Sequence, residues 1–197
     1  MIKTVCVFCG SSTGEDTVYA ERAAQLARFF LANNLHLVYG GANVGLMRVL
    51  ADTMLKGGGQ VTGVMPRNLV HREVAHLDLT KMHIVADMQE RKALMAELSD
   101  GFIALPGAYG TFDELFEVLT WNQLHLMEKP VGLLNIRGFF DPLLEMLDKA
   151  VMEKFLRPEH RGILLSEEDE SVLLKRMNEY QPVVAEKWIQ RLKEGKI

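Results

Sequence analysis

Short apolar runs that alternate with stretches of helical periodicity predict an α/β fold. Each run is apolar nearly throughout, which fits strands buried on both faces. The expected architecture is a Rossmann-like doubly wound parallel sheet of about seven strands with helices on both faces. A further observation supports it. The segments after the first five strands are glycine-rich or charged, and in such sheets these segments share one rim, where ligands bind.

The chain has 197 residues, 48% hydrophobic and 24% charged. That is the size of one domain with a substantial core, taken here as residues 1–197, and no repeat or low-complexity tract divides it. The formal charge of −4 argues against a general nucleic-acid binder, which would carry a basic stripe. No apolar stretch approaches the roughly 20 residues of a membrane span. The first residues run straight into a strand pattern, so no signal peptide is expected and the expected compartment is the cytoplasm.

Thr4–Phe8 reads as the first strand, followed by the small polar loop Cys9-Gly10-Ser11-Ser12-Thr13-Gly14. A helix is expected from Thr17 to Asn33, with Ala23, Leu26, Ala27, Phe30 and Leu31 on its apolar face. Leu35–Tyr39 is the second strand. Gly40-Gly41-Ala42-Asn43-Val44-Gly45 then turns into a helix that stops at Gly57-Gly58-Gly59. Gln60–Met65 is the third strand, closed by Pro66. Residues 67–79 are polar and irregular, and read as a loop over a site, because strands resume directly after them.

Lys81–Ala86 is the fourth strand, and a helix runs from Asp87 or Met88 to about Leu98. Gly101–Leu105 is the fifth strand, Pro130–Leu134 the sixth and Gly162–Leu165 a short seventh. Further helices are expected over Phe139–Phe155 and Glu167–Tyr180, with a last amphipathic segment over Val184–Lys193.

Cys6 and Cys9 form a Cys-x-x-Cys pattern on a strand. Residues three apart on a strand face opposite ways, with Cα atoms about 10 Å apart. A disulfide needs less than about 7 Å. Both are expected to be buried thiols, and without a supporting histidine cluster zinc is disfavoured.

The richest stretch is Leu105-Pro106-Gly107-Ala108-Tyr109-Gly110-Thr111-Phe112-Asp113-Glu114. Pro106 and Gly107 end a buried strand, and Gly110-Thr111 open a helix to about Leu124. Unpaired N–H groups and the helix dipole make such a terminus a phosphate site. Glu114 follows in what reads as the first helical turn. The same residues also fit a capping box, with Thr111 as N-cap and Glu114 reaching back to it. The clustering of polar loops at one rim favours the ligand site.

A dinucleotide is disfavoured. The loop after strand one lacks Gly-x-Gly-x-x-Gly, and strand two ends Val38-Tyr39-Gly40 without an acid for the ribose. The NTPase P-loop pattern is absent as well. One phosphate at the Gly110-Thr111 terminus fits better. Arg91 and Lys92 lie in the first turns of a helix, where the dipole disfavours cations unless an anion is near. Arg91 offers a planar fork and Lys92 a point charge. Glu73 is a carboxylate in the irregular loop. The six histidines are scattered without metal spacing.

Met88-x-x-Arg91-Lys92 followed by Leu105-Pro106-Gly107-x-Tyr109-Gly110-Thr111-x-x-Glu114 resembles the LOG family, the cytokinin riboside 5′-monophosphate phosphoribohydrolases, whose members are often labelled lysine decarboxylases. The likeness extends through Cys9-Gly10-Ser11-Ser12, Tyr39-Gly40-Gly41, Gly45-Leu46-Met47, Pro130-Val131-Gly132-Leu133-Leu134 and Phe140-Asp141-Pro142-Leu143, to about Leu165.

The resemblance implies hydrolysis of the N-glycosidic bond of a purine nucleoside 5′-monophosphate, AMP or an N6-substituted AMP, to free base and ribose 5-phosphate. It implies a homodimer and neither metal nor organic cofactor. By motif position, Arg91 and Glu114 are catalytic. Glu73, Arg91, Lys92, Ala108, Tyr109, Gly110, Thr111, Phe112, Asp113, Glu114 and Thr120 contact substrate. The family turn is usually Pro-Gly-Gly, and Ala108 replaces its second glycine; negative φ is expected there.

Decarboxylation lacks chemical support, because a pyridoxal enzyme needs a Schiff-base lysine and a partner for the pyridinium nitrogen. The alternative from another class is a non-catalytic nucleotide-binding or carrier protein of the same fold.

Overall fold

Along β1 (Thr4–Phe8), Val5 and Val7 enter one apolar cluster while Cys6 and Phe8 enter another. The strand's period of two thus demands cover on both faces of the sheet. The computed structural model, which describes residues 1–70 and 75–183, supplies it. β1 is joined by β2 (His36–Tyr39), β3 (Val61–Pro66), β4 (Lys81–Val85), β5 (Gly101–Ala104), β6 (Val131–Leu134) and β7 (Leu164–Glu167). The order is β4-β3-β2-β1-β5-β6-β7, and every pairing is parallel. This is the expected seven-stranded, doubly wound sheet.

One face is covered by α1 (Val18–Ala32), α2 (Gly45–Lys56) and α8 (Glu170–Asn178), through Leu26, Phe30, Leu46, Leu50, Met54, Leu173 and Met177. The other is covered by α4 (Met88–Glu97), α5 (Tyr109–Gln123) and α6 (Asp141–Met152), through Met95, Leu115, Val118 and Leu144. Each fully buried large side chain contributes about 1.5–3 kcal/mol. Two short helical turns are α3 (Arg67–Val70) and α7 (Pro158–Arg161), and Ile136–Gly138 form a 3-10 turn after β6. Among the described residues no helix is long and apolar enough to cross a membrane.

The chain winds outward from β1 to β4, then returns to place β5 on the other side of β1. Between β1 and β5 the connections diverge to opposite faces, which opens a crevice at the strands' carboxyl ends.

Several boundaries differ from expectation. Residues 67–79 are not irregular throughout: α3 occupies the start, and Ala75 forms an antiparallel bridge with Ala42. The seventh strand is shifted two residues onward, because Leu164–Glu167 align with Val131–Leu134, and Pro158 starts α7 upstream. The helix after it therefore begins at Glu170, where Asp169 accepts from the Ser171 and Val172 amides. Residues Phe139 and Phe140 precede α6 rather than open it. The segment Val184–Lys193 lies outside the described residues.

The largest correction concerns α5. It begins at Tyr109, with Ala108 as N-cap, because the Ala108 carbonyl already accepts from the Phe112 amide at 3.0 Å. Thr111 is therefore inside the first turn, and Glu114 falls in the second turn rather than the first. The capping box does not form. Ala108 has φ −121, the negative value expected.

Candidate active site

The crevice between β1 and β5 is a cavity of about 400 Å³. Its floor is made where two strand ends meet. The Gly10 amide donates to the Pro106 carbonyl at 3.0 Å, and the Leu46 amide to the Gly10 carbonyl at 3.1 Å. The loop after β1, the start of α2 and the start of α5 are thereby fixed to one another. The cavity's lining runs through residues 9–14, Tyr19, Leu46, Met47, Met88, Arg91, residues 106–108, Gly110, Thr111, Asp113, Glu114 and Phe139.

The first turn of α5 faces this space. The first four N–H groups of a helix have no intrahelical acceptor, and here they belong to Ala108, Tyr109, Gly110 and Thr111. Gly107 allows the turn: a Cβ there would stand 2.1 Å from the Thr111 hydroxyl oxygen and 2.9 Å from the Gly10 nitrogen. The result is a helix terminus with free amides and a buried threonine hydroxyl beside it, a chemistry suited to an anion.

Arg91 and Glu114 form a buried ion pair in the cavity wall. α4 starts cleanly because Asp87 caps it, accepting from the Gln89 and Glu90 amides, while Glu90 accepts from the Ala86 amide. One turn in, the Arg91 side chain runs inward. Its Nε donates to the Val64 carbonyl at 3.0 Å and its Nη1 to Glu114 Oε1 at 2.6 Å. Arg91 is 9% exposed and Glu114 7%. The cation near a helix N-terminus is thus matched by a carboxylate of the protein itself.

Gly40 makes room for this pair, since a Cβ there would lie 2.1 Å from Arg91 Nη2. Burial raises the Glu114 carboxyl above its ordinary value, and the Arg91 guanidinium opposes that shift.

Lys92, one residue on, turns away. It does not line the cavity. Its ammonium binds Asp113 at 3.0 Å and Glu117 at 3.2 Å, joining α4 to α5. Burial works against its charge, but these two carboxylates outweigh it and hold the ammonium above its ordinary pKa. Lys92 thereby neutralises Asp113, an acid at the cavity rim that would otherwise repel an anion.

Of the residues named from the motif, Arg91, Ala108, Gly110, Thr111, Asp113 and Glu114 share the cavity. Tyr109, Phe112 and Thr120 do not; they line an open groove on the outer face of α5 together with Phe116 and Trp121. Glu73 lies outside the described residues. The motif did not point to Tyr19 and Phe139, whose rings meet edge-to-face at 6.1 Å in the cavity wall. An aromatic after a polar loop carries no local signal of such a role.

Cys6 and Cys9 are both free and buried. Burial, then the nearby Glu114 charge, raises both thiols, so they are protonated packing groups. Among the described residues no cluster of His, Cys, Asp and Glu could hold a metal ion.

Solved structures share this architecture. A molybdenum cofactor binding protein from Rippkaea orientalis aligns with TM-score 0.67 at 20% identity, over 91% of this chain and 97% of its own. The molybdenum cofactor carrier protein of Chlamydomonas reinhardtii aligns with TM-score 0.66 at 18% identity, over 91% and 100%. At such identities the likeness is one of fold.

Sequence relatives are nearer. A cytokinin riboside 5′-monophosphate phosphoribohydrolase of Arabidopsis thaliana is 46% identical over 180 residues, 91% of this chain and 84% of the relative. A probable enzyme of the same name from Oryza sativa subsp. japonica is 47% identical over 176 residues, 89% and 79%. Residues 47–177 match the family described as "Possible lysine decarboxylase". The match over more than half of the chain, with relatives of this identity, shows that the chain belongs to the LOG family of cytokinin riboside 5′-monophosphate phosphoribohydrolases.

Proposed function

We propose that the protein hydrolyses the N-glycosidic bond of purine nucleoside 5′-monophosphates, AMP or its N6-substituted forms, releasing free base and ribose 5-phosphate. The observation that carries this reading is the buried Arg91–Glu114 pair lining the same cavity as the open N-terminus of α5. Relatives nearly half identical are named for this reaction.

Breaking the ribosyl C–N bond builds positive charge on the sugar, as in glycoside hydrolysis. A 5′-phosphate held by the amides of Ala108, Gly110 and Thr111 anchors the sugar in the cavity. Glu114 then stabilises the charge developing at C1′ and aligns or deprotonates the attacking water. With Oε1 engaged by Arg91, Oε2 is the oxygen offered to the sugar or to water. Arg91 favours the ionised form of the buried carboxylate against its burial and fixes its direction. In this reading the catalytic residues are Arg91 and Glu114, and no cofactor is needed. No lysine lines the cavity, so the amine that a pyridoxal decarboxylase requires is missing from the described site.

The reading also includes a homodimer and a cytoplasmic location. The outer face of α5 supports the former: Tyr109 is 92% exposed and Leu126, just past the helix, 73%. Tyr109, Phe112, Phe116 and Trp121 put apolar surface along a groove beside the site. Tyr109, Phe112 and Thr120 would then act from that interface, and Lys92 from behind it.

The test is base release from AMP, N6-substituted AMP and adenosine, with products resolved by chromatography. Cleavage of the monophosphates with adenosine nearly inert supports the reading. Stable nucleotide complexes without free base would identify a carrier instead.

A further inference from the structure

One buried histidine serves no function in the reaction as described, and its contacts lead to Arg91. We infer that His76 is a positioning residue. It fixes the Gly40-Gly41 turn on which the Arg91 guanidinium is seated. The inference rests on the reading of Arg91 as part of the hydrolytic site.

His76 is 4% exposed and outside the cavity lining. Its Nδ1 accepts from the Asp78 amide at 3.3 Å, which places the ring proton on Nε2. Nε2 donates to Asp52 Oδ1 at 3.0 Å, so the ring is anchored to α2. Its backbone amide donates to the Gly41 carbonyl at 2.9 Å. The neighbouring Ala75 bridges Ala42 on the same turn. The turn is thus clamped from outside the sheet by a segment itself pinned to a helix.

On its inner side the turn meets the catalytic pair. Gly40 touches the Arg91 guanidinium so closely that no side chain fits between them. Gly41 has φ +77, a conformation that holds its carbonyl toward His76 and that glycine alone adopts without cost. Release of the clamp lets the turn, and with it the guanidinium, move relative to Glu114. The other groups that face Glu114 are Lys92, Asp113, Cys6 and Cys9. None of them touches His76, so a change at Glu114 on altering His76 reports on Arg91.

The experiment uses the full chain and the Arg side-chain N–H region of the ¹H–¹⁵N spectrum. The buried Arg91 Nε–H, bonded to Val64, gives a slowly exchanging peak assigned by its loss in Arg91→Lys. In His76→Ala that peak shifts or broadens. Base release from AMP falls about 10- to 100-fold in kcat/KM, and its acid limb moves to higher pH. His76→Gln, which keeps a donor toward Asp52, restores much of both.

An unmoved Arg91 peak and acid limb in His76→Ala, with only a lower melting temperature, would overturn the inference and leave a plain structural tie. If His76→Ala does not fold, Asp52→Ala removes the anchor and is read the same way. If the wild type releases no base, the hydrolase reading fails, while the Arg91 peak still decides whether His76 positions the guanidinium.

Discussion

Gly40→Ala is the sharpest probe of the site, because the added carbon has only one place to go. It would stand 2.1 Å from Arg91 Nη2, 3.3 Å from Cζ and 3.5 Å from Met47 Sδ. An ordinary contact is about 3.5 Å, so the guanidinium must retreat by more than about 1 Å. It cannot do so and keep both its 3.0 Å bond to Val64 and its 2.6 Å bond to Glu114.

A misplacement of that size at a catalytic group costs about 100-fold in rate, or about 2.7 kcal/mol of barrier. Overpacking adds about 1–3 kcal/mol of destabilisation. Glu114 loses part of the charge that offsets its burial, so its carboxyl rises further and the acid limb of kcat/KM moves up with it. Base release from AMP across pH, with a thermal melt at each pH, measures all three effects. Wild-type kcat/KM with an unmoved acid limb would show that the guanidinium has another productive seat, and the Arg91–Glu114 geometry would lose its place in the mechanism.

Other outcomes follow from the same geometry. Glu114→Gln is expected to lose at least about 100-fold in kcat with its fold intact by circular dichroism; near-normal turnover would remove Glu114 from the chemistry. The Glu114 carboxyl lies above its ordinary value, so the wild-type acid limb is expected above the ordinary glutamate range. Across that window the folded chain holds a proton the unfolded chain has lost, so Glu114 makes stability fall as pH rises, a trend that Glu114→Gln should flatten in pH-dependent melts. Ala108→Gly should lower stability by about 0.4–1 kcal/mol without a gain in kcat/KM, since φ is already negative; a large kinetic gain would show that the alanine obstructs the site. Light scattering should give twice the 22.2 kDa chain mass, and Phe116→Lys should shift it toward the monomer; a monomeric wild type at micromolar concentration would refute the proposed dimer.

The fold was legible because its signals are local. The unbroken apolar run Val5–Phe8 and the glycine-bearing strand ends need no knowledge of the rest of the chain. What escaped was set across the sequence. The start of β7 follows from pairing with Val131–Leu134, and nothing in Gly162-Ile163-Leu164 specifies that register.

The α5 terminus was misplaced because Thr111 and Glu114 satisfy a capping pattern, while the actual cap, Ala108, has no side chain to announce it. The motif order pointed to Arg91 and Glu114, but not to their bond. Lys92 reads from the sequence as a point charge for a bound anion, whereas its partners in the structure are Asp113 and Glu117. Gly40 looked like a turn residue, and only the packed structure shows that it is the space a guanidinium needs.

The neighbouring positions of β1 and β5 bear on how the protein is made. The cavity floor joins Gly10 to Pro106, yet β5 leaves the ribosome after roughly 100 further residues. At roughly 5–20 residues per second, β1 has no partner on that side for roughly 5–20 s. During that interval β1–β4 can assemble only as a half-sheet whose last edge is the strand bearing Cys6 and Phe8, open to other nascent chains. Pairing with β5 closes that edge before the cavity is complete, because the lining residues from Pro106 to Glu114, and Phe139, follow β5 in the chain. A chain arrested before Ala104 therefore carries an aggregation-prone border and no site, and a chain that has just paired β1 with β5 has lost that border while the lining from Pro106 onward is still to be made.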